Sequence, residues 1–98
     1  MFPIRNMAMN ITSTKDLGRA IRTIRNALGV TQDQLALTSG TNRRFVIELE
    51  AGKATIQAGK VLQILRTLGI GVTLAPPSGI DVANFSAGAE KIDDGPAA

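Results

Sequence analysis

The chain has 98 residues, which is enough for one small domain with short flanking segments. It contains no Cys and no His, and this excludes disulfides, cysteine-based metal sites and the usual neutral-pH base of an enzyme. Because three Phe are its only aromatic residues, its core must be mainly aliphatic. We therefore expect a protein that is not an enzyme and that uses no metal or other cofactor.

The distribution of charge and apolar residues suggests the class of partner. No apolar run approaches the roughly 20 residues of a membrane span, and no signal peptide is recognised, so we expect a cytoplasmic protein with no membrane partner. Residues 1–75 hold ten Lys/Arg and four Asp/Glu, a net charge of +6. Residues 76–98 hold one Lys and four Asp/Glu, a net charge of −3. A basic body with an acidic end favours a polyanionic partner for the body.

The chain starts with a leader over residues 1–12, in which Met9–Thr12 are a candidate short strand. A first helix is predicted after Ser13 or Thr14, because a hydroxyl can accept from the free N–H groups of a first turn. Gly29 is expected to end this helix. Its apolar stripe has helical spacing and consists of Leu17, Ile21, Ile24 and Leu28.

Two short helices joined by a tight turn come next. Thr31 is the expected N-cap of the second helix, which stops at Gly40, and Thr41 or Asn42 opens the third, which stops at Gly52. The residues expected to lock this pair against the first helix are Leu35, Ala36, Val46 and Leu49. Such a pair is a helix-turn-helix, whose second helix can enter the major groove of DNA.

The first turn of the third helix carries the residues best suited to DNA. Arg43 and Arg44 lie there, and the Arg side chain matches guanine in a bidentate contact. Phe45 either packs in the core or touches a thymine methyl group, and we favour the core. Arg19 and Arg22 on the first helix are interpreted as solvated surface charge.

A fourth helix is predicted from about Thr55 to Leu68. Its expected apolar face consists of Ala58, Val61, Leu62, Leu65 and Leu68. Ile70, Val72 and Leu74 then alternate with smaller residues, which predicts a dimerisation strand over residues 70–75. One strand cannot satisfy its own backbone groups, so its partner is either the leader or the same strand of a second chain. Antiparallel pairing across a two-fold homodimer is the simpler arrangement.

Residues 76–98 are rich in Gly, Ala, Ser and Asp and are interpreted as a disordered acidic tail. The alternative is a segment that becomes ordered on contact with a partner. Phe85 or Ile92 would then serve as the apolar anchor.

Two motifs carry a family resemblance. The pattern T-Q-x-x-L-A-x-x-x-G over residues 31–40 and the pattern V-x-x-L-E-x-G-K over residues 46–53 resemble the Xre/Cro family of repressor domains. Ser39 and Thr41 depart from it, because the family often has aliphatic residues there, and this predicts a slightly less buried turn. The strand that directly follows the fourth helix makes the chain most similar to HipB-like antitoxins.

The resemblance implies a lambda-repressor-like fold, all-α, with a four-helix DNA-binding domain over residues 13–69 and a strand that pairs across the dimer. It implies a buried structural ion pair between Arg25 and Glu50. The residues it places at DNA are Gln32, Thr41, Asn42, Arg43, Arg44, Ile47, Glu48 and Lys53.

These residues have different implied roles. Gln32 matches a phosphate contact, and the two arginines match the start of the base-reading helix. Glu48 matches a position that often reads a base, and its carboxylate could accept from cytosine. Thr41 and Asn42 are caps first, which is compatible with phosphate contact. Lys53 lies after the third helix, where it can reach the DNA backbone.

The implied function is that of a sequence-specific repressor of double-stranded DNA. It would be a HipB-like antitoxin that represses its own operon and neutralises a HipA-like kinase toxin. An inverted-repeat operator would place the two recognition helices about 34 Å apart. One alternative is a free-standing regulator without a toxin. The other is a protein-interaction module with negligible DNA binding.

Overall fold

The computed structural model describes residues 8–85. Its elements in chain order are α1 (Thr14–Ala27), α2 (Gln32–Ser39), α3 (Arg43–Glu50) and α4 (Ala58–Thr67). No strand occurs within residues 8–85, so this part of the chain has the expected all-α architecture of four helices. α3 packs against α1 and α2, and α4 packs against α2.

The start of α1 is fixed by hydrogen bonds among neighbouring side chains and backbone groups. Ser13 is the N-cap, and its hydroxyl accepts from the backbone N–H of Asp16 at 3.0 Å. The carboxylate of Asp16 in turn accepts from the backbone N–H of Thr12 at 3.0 Å. Leu28 was expected on the buried stripe, but this was wrong: its side chain is 56% exposed. Leu28 is the C-cap residue, where the chain has already begun to turn away from the core.

Side chains also set the starts of α2 and α3. The Thr31 hydroxyl accepts from the backbone N–H of Gln34 at 3.0 Å, and the Gln34 side chain accepts from the backbone N–H of Thr31 at 2.9 Å. This reciprocal pair is a capping box. Asn42, rather than Thr41, caps α3, because its side chain accepts from the backbone N–H of Phe45 at 2.8 Å.

α4 differs from its prediction in its start and in its buried face. The helix begins at Ala58, three residues later than expected, because Ile56 packs against the core from the preceding loop. Ala58 and Leu62 were expected on the buried face, but Ala58 is exposed and Leu62 is 48% exposed, whereas Ile64 is fully buried. The helix is therefore rotated so that Ile64 and Leu65, rather than Leu62 and Leu65, face the core.

The core lies where the four helices meet. Its buried apolar members are Ile21, Leu35, Ala36, Phe45, Val46, Leu49, Val61, Ile64 and Leu65. Gly18 lets α1 approach the end of α3 closely. A Cβ at Gly18 would collide with the backbone oxygen of Leu49 and lie 2.7 Å from that of Glu50. The position of α3 against α1 therefore depends on the absence of a side chain at residue 18.

The segment after α4 makes few contacts with the domain. The backbone N–H of Ile70 donates to the carbonyl of Leu65 at 2.8 Å, and Ile70 packs against the core. Val72 and Leu74 are exposed, and residues 70–75 form no strand within the single chain. The candidate strand at Met9–Thr12 is also not formed. Pairing of residues 70–75 across a homodimer stays a prediction.

The chain from residue 71 to residue 85 is exposed and contains no helix or strand. Phe85 is one of its exposed apolar residues. Ile92 and the rest of the acidic tail lie outside the described residues, so both interpretations of the tail stay predictions. Within residues 8–85, no helix is both long enough and apolar enough to cross a membrane.

Candidate nucleic-acid interface

The turn between α2 and α3 holds the two helices in a helix-turn-helix arrangement. Gly40 adopts a φ of 75°, a left-handed conformation that glycine accepts without strain. The backbone N–H of Thr41 donates to the carbonyl of Ala36 at 3.0 Å. The hydroxyl groups of Ser39 and Thr41 lie 2.9 Å apart and share a hydrogen bond. A slightly less buried turn was predicted here, but Ser39 is buried, and its hydroxyl is paired with that of Thr41.

α3 has one buried and one exposed face. Phe45, Val46 and Leu49 point into the core, which confirms the preference for a buried Phe45. Arg43, Arg44 and Ile47 lie on the exposed face, with Ile47 42% exposed. The Lys60 ammonium lies 5.7 Å from the centroid of the Phe45 ring and covers it from α4. The exposed face of α3 therefore combines two cations with one apolar side chain.

Arg43 contacts the neighbouring helix of the pair. Its Nε lies 3.5 Å from Oδ1 of Asp33, in the first turn of α2. Both side chains are largely exposed, at 63% and 74%, so the ion pair is worth little to stability and leaves the guanidinium accessible. The fold therefore adds a charge contact between α2 and α3.

Glu48 lies between two cations. Its Oε2 is 3.3 Å from Nε of Arg44, one helical turn earlier, and its Oε1 is 3.3 Å from Nζ of Lys53. The hydrogen bond from Arg44, followed by that from Lys53, lowers the pKa of Glu48 below its ordinary value. The carboxylate is therefore ionised at neutral pH and has a cation at each oxygen.

The predicted ion pair between Arg25 and Glu50 is formed, and both of its side chains are buried. Nε of Arg25 donates to Oε2 of Glu50 at 2.5 Å, and Nη2 donates to Oε1 at 2.9 Å. A third bond runs from Nη1 of Arg25 to the Val30 carbonyl at 2.8 Å. The hydrogen bond to Glu50 raises the pKa of Arg25, against the opposing effect of burial. The guanidinium of Arg25 therefore donates its hydrogen bonds to Glu50 and Val30 within the domain.

Gln32 is joined to this pair. Its Nε2 donates to Oε1 of Glu50 at 3.1 Å, so the first residue of α2 is tied to the last residue of α3. Gln32 also lines a groove of about 580 Å³ bounded by α1 and the first turns of α2 and α3. Arg22 and Arg43 line the same groove.

The groove adds one residue that sequence reasoning missed. Arg22 was interpreted as solvated charge, but it shares the groove with Gln32 and the N-terminus of α2. Free N–H groups at a helix N-terminus and a nearby guanidinium together suit an anion such as a phosphate. The usable signal was spacing: Arg22 precedes Arg25 by three residues and therefore lies on the same face of α1.

The predicted DNA residues fall into three groups in the structure. Arg43, Arg44 and Ile47 form the exposed face of α3, with Glu48 and Lys53 beside Arg44. Gln32 lies in the groove at the start of α2. Thr41 and Asn42 are occupied by their hydrogen bonds to Ser39 and to the backbone of Phe45.

No candidate metal site accompanies this surface. Among the residues that the structure describes, no group of three or more Asp or Glu side chains is placed to hold a metal ion.

A helix-turn-helix family profile matches residues 21–74, which is more than half of the chain. The chain belongs to this helix-turn-helix family. The resemblance to Xre-type proteins is thereby confirmed. An uncharacterized HTH-type transcriptional regulator, y4mF of Sinorhizobium fredii, is 44% identical over 71 residues, covering 72% of this chain and 93% of y4mF. The chain is a DNA-binding helix-turn-helix transcriptional regulator.

Solved structures of similar fold include HipB. A chain of a HipB–O4 20mer complex is 25% identical with a TM-score of 0.66, covering 70% of this chain and 97% of that one. A chain of a HipA–HipB–O2–O3 complex gives the same values. The clp gene regulator ClgR from C. glutamicum is 29% identical with a TM-score of 0.57, covering 67% of this chain and 85% of ClgR. The regulator therefore shares its fold with HipB and with a gene regulator of another kind.

Proposed function

We propose that this regulator is the antitoxin of a toxin–antitoxin pair. It forms a homodimer, binds an inverted-repeat operator, represses its own operon and neutralises a HipA-like kinase toxin. The observation that carries DNA reading is the pair Arg43 and Arg44 in the first turn of α3. Their side chains are 63% and 87% exposed, on a helix that the helix-turn-helix arrangement presents outward.

The DNA contacts divide into two kinds. Arg43 and Arg44 donate to guanine, and Ile47, one turn further along α3, packs against a thymine methyl group. Gln32 and Arg22 bind phosphate at the groove, with Lys53 reaching the backbone beyond α3. Phosphate contacts supply most of the affinity, so binding falls steeply as the salt concentration rises.

The antitoxin assignment is supported by the HipB likeness. This chain covers 97% of the HipB-complex chain at 25% identity, and one of these structures is a complex that includes HipA. The segment 70–75 has exposed Val72 and Leu74 directly after α4, as a strand that pairs across a dimer requires. Antiparallel pairing of this segment would satisfy its backbone groups and bury both side chains.

The test is to isolate the protein from lysate of its native host by an epitope tag on the chromosomal copy. The bound proteins and DNA fragments are then identified together. We expect a kinase-like protein encoded next to the gene and a fragment from the gene's own upstream region. Recovery of that fragment without the kinase-like protein contradicts the antitoxin assignment. Recovery of no specific DNA contradicts the proposed reading residues as well.

A free-standing regulator is the second candidate. It is favoured by y4mF, the 44% identical relative, because the name of that protein refers to transcriptional regulation alone. The same isolation separates the two candidates, since a free-standing regulator brings down DNA but no stoichiometric partner protein. Membership of the helix-turn-helix family gives no support to the third alternative, an interaction module that hardly binds DNA.

A further inference from the structure

Glu48 is an unusual residue to find beside the exposed arginines of a DNA-reading helix. A carboxylate at this surface is repelled by phosphate, so by itself it lowers affinity for any duplex. A direct role in base reading would need an oxygen that points outward and is free to accept from cytosine. Both oxygens of Glu48 instead accept from cations of the protein, Oε2 from Nε of Arg44 at 3.3 Å and Oε1 from Nζ of Lys53 at 3.3 Å.

The contact with Arg44 uses one particular nitrogen. Glu48 meets Nε of Arg44, which leaves the two terminal Nη groups without this partner. Guanine presents two acceptors in the major groove, O6 and N7, and these match the paired donors of an arginine fork. The Arg44 side chain is 87% exposed, whereas that of Glu48 is 30% exposed. The less exposed side chain, Glu48, therefore holds the more exposed Arg44 at the base of its guanidinium fork.

We propose that Glu48 is a positioning residue for Arg44, holding Nε so that the two Nη groups project towards guanine. This inference rests on the proposed function in one respect, namely that Arg44 contacts DNA. Restraining the fork before binding lowers the entropy lost in the complex. The negative charge of Glu48 also weakens binding to duplexes that offer no guanine at the right place. Lys53 on the opposite oxygen fixes the carboxylate between α3 and the following loop. Glu48 thus increases the difference in affinity between duplexes that carry the right guanine and duplexes that do not.

The test measures a specificity ratio by fluorescence anisotropy. One duplex is the sequence that the wild-type protein selects from a randomised pool, and the other is a scrambled duplex of the same composition. We expect Glu48→Gln to lower the ratio of the two affinities about tenfold, through weaker binding to the selected duplex and tighter binding to the scrambled one. Glu48→Asp keeps the charge but shortens the reach, so it should weaken only binding to the selected duplex.

The coupling between the two residues is the deciding readout. In an Arg44→Ala background, Glu48→Gln should cause no further loss of affinity for the selected duplex, because there is no fork left to position. Replacing each guanine in turn by 7-deazaguanine, which lacks N7, identifies the base that Arg44 reads. Glu48→Gln should reduce the sensitivity at that same guanine and at no other base.

Asp81→Asn is the matched control, since it changes the net charge equally at an exposed position far along the chain from α3. It should leave the ratio unchanged. Independent, multiplicative losses from the two substitutions would mean that Glu48 reads a base of its own, and the proposal would be wrong. An unchanged ratio in Glu48→Gln would also overturn it. If the wild-type protein selects no duplex at all, the proposed function itself fails.

Discussion

The side chain of Gln32 donates from Nε2 to Oε1 of Glu50 at 3.1 Å, and this bond joins the first turn of α2 to the last turn of α3. Glu50 is in turn held by Arg25 of α1 through two hydrogen bonds. A residue proposed to bind phosphate is therefore fixed by an ion pair that reaches the core. The position of the Gln32 side chain and the stability of the domain therefore both depend on the carboxylate of Glu50.

The first prediction concerns base reading by Arg43. Arg43→Ala should weaken binding to the selected duplex by about 1–3 kcal/mol and binding to scrambled DNA only slightly, because a bidentate base contact is lost. Gel shift on both duplexes measures the two losses. Equal losses would show that Arg43 serves phosphate alone, and the slope of log affinity against log salt would then fall by about one.

The second prediction concerns the contact between α1 and α3. Gly18→Ala should destabilise the domain by about 1–3 kcal/mol, because the added methyl group meets backbone oxygens that cannot move aside cheaply. Urea denaturation followed by circular dichroism measures the change. Gly59→Ala is the matched control: it lies in α4 with no atom within 4 Å of the new Cβ. We expect it to stabilise the protein by about 0.5–1 kcal/mol.

The third prediction concerns the buried ion pair. Glu50→Gln should cost about 3–5 kcal/mol, because it leaves the buried guanidinium of Arg25 without its counter-charge. The double substitution Arg25→Met with Glu50→Leu should be much less destabilising, since no charge remains buried. Thermal unfolding of the three proteins gives the comparison. A Glu50→Gln protein as stable as the wild type would show that the pair contributes nothing to the fold.

The fourth prediction concerns pH. The backbone N–H of Thr12, followed by its hydroxyl, lowers the pKa of Asp16 below its ordinary value. A carboxyl group whose pKa is lower in the folded state stabilises the protein above its unfolded pKa, and this contribution is lost as the pH falls through the folded value. Asp16→Asn should therefore lower the melting temperature at pH 7, and the difference from the wild type should shrink at acid pH as the pH falls through the folded pKa of Asp16.

The matched control for Asp16 is Asp81→Asn, whose effect on the melting temperature should be small at both values of pH. A difference between wild type and Asp16→Asn that persists unchanged at the lower pH would contradict the assigned cause. The measurement reports on the start of α1, where Thr12 and Ser13 form their hydrogen bonds with Asp16.

The fifth prediction concerns the dimer. Val72→Pro should weaken self-association, because proline removes an N–H group that an antiparallel strand pair needs. Sedimentation over a range of concentrations measures the change. Val82→Pro is the control, since Val82 is similarly exposed but lies beyond the predicted strand. An unchanged dimer in Val72→Pro would place the interface elsewhere.

The existence and order of the helices were predictable because their signals are local. Thr31 and Asn42 are residue types that commonly cap helix N-termini, and they cap α2 and α3 here. Gly40 is the residue type expected in the tight turn between them. The buried face of α4 was not predictable in the same way. Leu62 has helical spacing with Leu65, and Ile64 has it with Val61 and Leu68. Only the direction from which α2 approaches decides which of the two is buried.

The same division holds in the candidate site. The family resemblance predicted the pair of Arg25 and Glu50. The position of Arg43 and Arg44 in the first turn of α3 predicted that they are exposed. The contact of Asp33 with Arg43 depends on how α2 packs against α3. The contact of Glu48 with Lys53 depends on the path of the loop after α3. Arg22 shares a face of α1 with Arg25, but its nearness to Gln32 and the start of α2 depends on how three helices form the groove.

Phe45, Val46 and Leu49 hold α3 from the core side, away from Arg43, Arg44 and Ile47. This core-facing framework and the proposed reading surface thus occupy opposite faces of one eight-residue helix. Grafting another regulator's base-contacting side chains onto positions 43, 44 and 47 would replace none of the framework residues. New operator preferences can therefore arise in this scaffold by exchange of a few outward residues, without rebuilding the domain.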